Sequence, residues 1–184
     1  MSTVATQGTS KKTVDLDRVD IKPLASEMSR AAFCCGETRI DNFFRNNARD
    51  HHARNKVRVY VADYESLPIG YYYLVAVTHN PEMISPEAFE KFGRVKHAPC
   101  VYLGMLGVCE ECQGNGVGKL LMLHAMRQTL KVADIVGLYA LTLEAINEGM
   151  AERYEKWGFN RFASGRLEMF IALPTIRMLF SDGG

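Results

Sequence analysis

From about Val57 to Leu173 the chain switches between strand-like and helix-like patterning. Val57 to Tyr64 alternates apolar and polar residues, and Ile69 to Thr78 is rich in aromatic and β-branched ones, so the pair reads as a hairpin turning at Leu67-Pro68. Val101 to Val108 and Gly137 to Ala145 are apolar runs of strand length, and a helix-patterned stretch opens at Val117 between them. Its residues Leu121, Met122, Ala125, Met126, Val132 and Ala133 cover one side, while His124, Arg127, Gln128 and Lys131 form a polar stripe that reads as solvated surface. Upstream, an extended piece around Val14 to Leu24 precedes Thr38, which with Asp41 caps a helix reaching about Asn55. Asn80 to Pro99 reads as an irregular connection with one short helix around Pro86 to Phe92. At the far end, Asn160 to Ser164 and Leu167 to Leu173 make a last hairpin about Gly165, and Pro174 stops the strand. The pattern predicts an α/β domain with a mixed sheet and no internal repeat. Residues 1–12 are polar and are expected to be a disordered tail, which leaves 13–184 as a single domain.

The stretch Gln113-Gly114-Asn115-Gly116-Val117-Gly118-Lys119 lies between the Val101 to Val108 strand and the helix. A strand that ends in a glycine turn and opens a helix presents unpaired N–H groups at a positive helix end, where a phosphate binds. The Walker A spacing fails, because Gln113 stands where a glycine is needed and Leu120 where a Ser or Thr is needed. The dinucleotide spacing G-x-G-x-x-G fails as well, since its third glycine falls on Lys119 or Leu121. What fits is Q/R-x-x-G-x-G/A, at Gln113, Gly116 and Gly118. Farther on, Asn147 is followed by a short helical stretch with Tyr154 that ends in Gly158-Phe159. From pattern alone Asn147 is a helix cap and Tyr154 a core aromatic on one face with Met150 and Trp157.

Taken together, Val101 to Phe159 resembles the GNAT superfamily of acyl-CoA N-acyltransferases, whose fold is a mixed central sheet with splayed strands flanked by helices. The resemblance implies that acetyl-CoA is the cosubstrate and that Gln113, Gly114, Asn115, Gly116, Val117, Gly118 and Lys119 hold its pyrophosphate. It assigns Leu106, Gly107 and Val108 to the pantetheine arm, with an N–H there polarising the thioester, and Asn147 to the arm or the local turn. Gly107 is compatible with a bulge and equally with plain packing. Tyr154 becomes the acid that protonates the departing thiolate. No residue identifies itself as the general base; Glu144 closes the Gly137 to Ala145 run and reads either as facing the cleft or as a solvated strand end.

Composition narrows the setting. At 184 residues, 47% apolar and 23% charged, one ordinary globular core is expected. No apolar run approaches the roughly 20 residues of a membrane span, and Met1 to Lys12 lacks a secretory h-region, so the expected place is the cytoplasm and no membrane contact is expected. Five cysteines, two of them adjacent at Cys34 and Cys35, argue against a disulfide framework. Cys109-Glu110-Glu111-Cys112 has the spacing of half a zinc site, but the histidines supply no matching second half, so no metal is expected.

Phe33 to Gly36, Ile40 to Phe44, Gly70 to Tyr72 and Leu106 to Val108 together resemble one branch of the superfamily. That branch is the TacT-type toxins of bacterial toxin–antitoxin modules, which acetylate the α-amine of aminoacyl-tRNA and block translation. The resemblance implies a ribbon-helix-helix antitoxin and a homodimer. It also draws attention to Arg45, Arg49, His52 and Lys56, which line one face of the predicted Thr38 helix, with Arg54 and Arg58 nearby. With a formal net charge of +1, any affinity for RNA has to be local. The sequence departs from the branch in reading Gly104-Met105-Leu106-Gly107-Val108 where the toxins carry Arg before Leu-Ala-Val, and in its Cys-Glu-Glu-Cys turn. An N-acetyltransferase for a small-molecule or protein amine therefore stays open as the alternative.

Overall fold

A computed structural model describes residues 11–79, 90 and 97–181. In chain order the strands are β1 (Asp20–Pro23), β2 (Arg58–Tyr64), β3 (Leu67–His79), β4 (Ala98–Val108), β5 (Ala140–Glu144), β6 (Asn160–Arg161) and β7 (Glu168–Ala172). They hydrogen-bond in the order β1-β2-β3-β4-β5-β7-β6. The helices are α1 (Thr38–Asn42), continued through a π-helical turn (Phe43–Asn47) into α2 (Ala48–Ala53), then α3 (Val117–Ala133), α4 (Glu148–Glu155) and α5 (Leu173–Ser181). This is the α/β domain with a mixed sheet that the patterning predicts. The expected connection from Asn80 to Pro99, with its helix near Pro86 to Phe92, falls mostly outside the described residues. The chain forms two compact units, Met1–Tyr72 with Met105–Leu121, and Tyr73–Gly104 with Met122–Gly184.

In the first unit β1 pairs antiparallel with β2. The β2–β3 turn is Glu65-Ser66, with φ of +53° and +66°, and Leu67-Pro68 already belongs to β3. The expected turn at Leu67-Pro68 is therefore two residues late. Two left-handed residues match the right-handed twist of the flanking strands, but neither Glu nor Ser announces that conformation. The helical segment from Thr38 onward packs through aromatic rings: Phe44 stacks on Tyr71 at 4.2 Å between centroids, and Phe33 meets both rings edge-on. The Tyr71 hydroxyl donates to the Ile40 carbonyl at 2.7 Å, fixing the helix to β3. Thr38 is the first helical residue and makes no cap; Asp41 instead accepts the Cys35 N–H at 2.8 Å while buried. A buried carboxylate needs such a donor more than an exposed helix start needs a cap.

In the second unit β4 and β5 run parallel from Cys100↔Ala140 to Leu103↔Leu143, and β5 and β6 both pair antiparallel with β7. Ala98, Cys100, Ala140, Phe162 and Phe170 pack together as a core. The α3 residues Leu121, Met122, Ala125 and Met126 are buried as predicted, each in its own unit, and Thr129 extends the row by bonding the Ala125 carbonyl. Val132, expected on that side, is exposed because the helix end has outrun the core. Pro174 does end the strand, and it also sits in the first turn of α5, where a missing N–H costs nothing.

Candidate active site

The glycine loop is built by local rules. Gly114 and Gly116 have φ of +85° and +88°, a left-handed backbone that L side chains resist. Among the described residues, none of the N–H groups from Gly114 to Lys119 donates to a carbonyl, and the first helical bond runs from the Leu120 N–H to the Gly116 carbonyl at 3.0 Å. These donors at the start of a 17-residue helix make a cradle for an anion. Among the described residues, nothing lies within 4 Å of a Cβ placed at Gly114, so none of them closes the cradle on that side.

Side chains of the same motif act as braces. The Gln113 amide donates to the Cys35 and Val108 carbonyls at 2.9 and 3.0 Å, locking the loop to the end of β4. Asn115 donates to the Cys112 and Lys12 carbonyls and accepts the Val14 N–H at 3.2 Å. The Lys12 N–H in turn donates to the Glu111 carbonyl, and Leu16 lies 3.1 Å from where a Gly116 Cβ would stand. A segment from near the chain start is thus tied over the loop, which the sequence does not announce. Cys109 and Cys112 form a 3-10 turn closed by the Cys112 N–H to Cys109 carbonyl bond, and burial pushes the Cys112 thiol up.

Leu106, Gly107 and Val108 end β4, beyond the last residue, Leu103, that is in register with β5. Gly107 is there for packing: a Cβ would stand 2.7 Å from Ile40 and 3.3 Å from the Cys35 sulfur. Of its two readings, close approach is the one its surroundings support.

The basic positions of the Thr38 helix do not form one stripe. The π turn inserts a residue and rotates the rest of the helix by roughly 100°. Arg45 points back and donates to the Phe33 carbonyl from Nε at 2.6 Å and again from a terminal nitrogen, with Asp41 at 3.9 Å. His52 accepts the Val59 N–H at 3.0 Å through Nδ1, and burial with Arg58 nearby holds its pKa below the usual range. Lys56 and Arg54 both pair with Asp50, at 3.6 and 2.6 Å. Arg49 is exposed and has no carboxylate partner among the described residues.

The remaining candidates belong to the second unit. Asn147 caps α4, its side chain accepting the Met150 N–H at 2.9 Å. Tyr154 is buried between Trp157 and Phe159, with ring centroids at 5.8 and 5.7 Å. Burial pushes its phenol pKa up, against a smaller opposing pull from Arg153. Its carbonyl accepts the N–H groups of Trp157 and Phe159, and Gly158 at φ +92° turns the chain out of the helix. Glu144 is exposed at the end of β5. Arg161, which no sequence motif singles out, donates to Glu155 at 2.7 Å and to both carboxylate oxygens of Glu148. The i, i+7 spacing of those two glutamates is the one signal that could have pointed to it.

Among the described residues no cluster of three metal-ligating side chains occurs, and no helix is long and apolar enough to cross a membrane. The chain is 30% identical over 174 residues to a protein of Sinorhizobium fredii named probable toxin TacT, covering 86% of this chain and 93% of that one. A solved structure of AtaT complexed with acetyl-methionyl-tRNAfMet is 25% identical with a TM-score of 0.80, covering 88% of this chain and 99% of that one. Two further structures match at 26% identity, each covering 90% of this chain and 99% of the other. One is AtaTR bound with AcCoA, at a TM-score of 0.77, and the other a mutant AtaT toxin bound to the C-terminus of the antitoxin AtaR, at 0.76. The model of the Acetyltransferase (GNAT) family matches residues 23–159, which include the glycine loop, the end of β4, Asn147 and Tyr154. The chain belongs to the GNAT acetyltransferase family.

Proposed function

We propose that this protein moves the acetyl group of acetyl-CoA onto the α-amine of amino acids esterified to tRNA, and so blocks translation. The observation that carries the reading is the likeness, over nearly the whole length of both chains, to a toxin solved with acetyl-methionyl-tRNAfMet. The donor set fits acetyl-CoA: the N–H groups from Gly114 to Lys119 suit the pyrophosphate, and they are braced by Gln113 and Asn115 rather than filled by them. Leu106, Gly107 and Val108 hold the pantetheine arm along the end of β4, and an N–H there draws charge from the thioester carbonyl. The arriving amine must be neutral to attack. Tyr154, kept protonated by its apolar surroundings, gives its proton to the thiolate that leaves, and the proton shed by the acylated nitrogen, passed through solvent, restores the phenol. Asn147 holds the turn ahead of α4. Arg49 and Lys56 are the residues offered to tRNA phosphate, while Arg45 and His52, engaged with the Phe33 carbonyl and the Val59 N–H, hold the local backbone there.

The same reading includes a homodimer and a ribbon-helix-helix antitoxin. Ile135 and Met178, exposed at 83% and 66%, are apolar side chains that a partner would cover.

The test offers radiolabelled acetyl-CoA together with charged tRNA, deacylated tRNA and a panel of polyamines and peptides. Label on charged tRNA alone supports the proposal. Label on a free small amine or a peptide replaces it with the alternative, a general N-acetyltransferase. Mass measurement by light scattering during gel filtration, with and without a candidate antitoxin, tests the assembly.

A further inference from the structure

We infer that Arg161 is a positioning residue for the acid of the transfer step; this rests on the role of Tyr154 proposed above. α4 is eight residues long, too short to be stable or well placed by its own hydrogen bonds. Asn147 holds its start, and Gly158 with the doubly bonded Tyr154 carbonyl closes its end. Among the described residues, Arg161 is the side chain that grips both ends at once. Its guanidinium donates to both oxygens of Glu148, the first residue of α4, and through Nε to Glu155, the last, at 2.7 Å. A further N–H reaches the Arg166 carbonyl at 3.3 Å.

Three observations set this apart from an ordinary surface ion pair. The Arg161 side chain is 14% exposed, whereas Glu148 and Glu155 are 62% and 43% exposed, so the fixed member is the arginine and the carboxylates reach in to it. Arg161 sits on β6, in register with Met169 of β7, so the grip is anchored to the sheet. Glu155 ends a helix, where a carboxylate opposes the helix dipole, and its neighbour in sequence is Tyr154. The cation of Arg161 compensates that charge and holds Glu148 below the usual carboxylate range through its hydrogen bonds.

The mechanical consequence falls on the phenol. A roll of α4 by about 10° moves a tyrosine oxygen, roughly 8 Å from the helix axis, by about 1.4 Å, and displacements of about 1 Å already cost up to about a hundredfold in rate. Arg161 prevents the roll by holding both ends of one helix face. The planar fork is what does this, so lysine, which keeps the charge and loses the fork, does not replace it.

The experiment is a double-mutant cycle on the full chain. Arg161→Lys is expected to lower kcat about tenfold or more, leaving the KM for acetyl-CoA within about twofold. In a Tyr154→Phe background the same change is expected to have almost no further effect, because there is no acid left to position. Glu155→Gln, which keeps an acceptor but strips one arm of its charge, repeats both results in smaller degree and serves if Arg161→Lys proves poorly folded by its melting temperature. An unchanged kcat in Arg161→Lys and Glu155→Gln overturns the inference, as does an equal slowing with and without Tyr154. Wild-type turnover in Tyr154→Phe alone overturns the role of Tyr154 as well.

Discussion

Gly116→Ala is the sharpest probe of the loop, because its cost can be apportioned in advance. Gly116 has φ of +88°, and among the described residues the atom near its Cβ position is the flexible tip of Leu16 at 3.1 Å. The added methyl therefore meets little steric resistance, and the penalty is the left-handed backbone, about 1–2 kcal/mol for an L residue. Two outlets exist. If the free loop keeps its shape, the penalty appears as lost stability, and the melting temperature falls by about 2–8 °C for a chain of this size. If the loop relaxes, acetyl-CoA must restore it, and affinity falls by about 5- to 30-fold. Because no N–H from Gly114 to Lys119 is engaged by a carbonyl among the described residues, relaxation gives up none of the loop's own N–H bonds and loosens only the Gly116 carbonyl and the Asn115 side-chain ties, so most of the loss is expected in affinity. Titration calorimetry with acetyl-CoA and a thermal melt of the same sample measure both shares. Gly114→Ala, at φ +85° with none of the described residues within 4 Å of its Cβ position, is the companion free of the Leu16 contact. A Gly116→Ala protein unchanged in both affinity and melting temperature would refute the left-handed loop and the cradle built on it.

Tyr154→Phe is expected to leave acetyl-CoA affinity nearly intact and slow transfer by about a hundredfold or more; because burial raises the phenol pKa, the parent's kcat is expected to stay level toward alkaline pH and decline only above about 10. Arg45→Ala and Arg49→Glu separate two roles on neighbouring turns. The first strips the Phe33 carbonyl of its donor and is expected to cost about 1–3 kcal/mol in urea melts, while the second leaves stability alone and flattens the salt dependence of tRNA acetylation. Asn147→Ala removes the α4 cap and is expected to destabilise the chain by about 1 kcal/mol, read from the same melts. His52 has a folded pKa below its unfolded value, so the unfolded chain binds the extra proton first. Its contribution to stability is present above about pH 6.5 and fades as pH falls toward the folded pKa; His52→Asn is expected to shrink that loss, and an identical pH profile would show that His52 does not carry it.

What can be read from residues alone obeys the physics of repetition and of glycine. Strands β3, β4 and β5 are legible because a buried strand needs a run of apolar, aromatic or β-branched residues, and Ile69 to Thr78, Val101 to Val108 and Gly137 to Ala145 supply one each. The loop is legible because left-handed residues so close together at a helix start require glycine. By contrast, the π turn at Phe43–Asn47 depends on how two adjacent phenylalanines share Tyr71, a partner that sequence spacing does not reveal. For the same reason the basic positions read as one stripe, although Arg45 is drawn to the Phe33 carbonyl. Asp41 reads as part of a cap because its spacing fits, while the stronger demand comes from the buried Cys35 N–H. The α5 helix is invisible in the pattern because Pro174 signals a stop to a strand and a start to a helix with equal force.

The tie between Asn115 and the segment at Lys12 and Val14 spans 103 and 101 positions of chain. During synthesis the early partner leaves the ribosome first and waits for the later one, about 5–20 s at ordinary rates of elongation. Bringing ends so distant together costs about 4 kcal/mol of chain entropy, which only a largely collapsed chain can meet. Nascent polypeptide short of Asn115 therefore lacks the brace that holds the glycine turn against the segment at Lys12 and Val14.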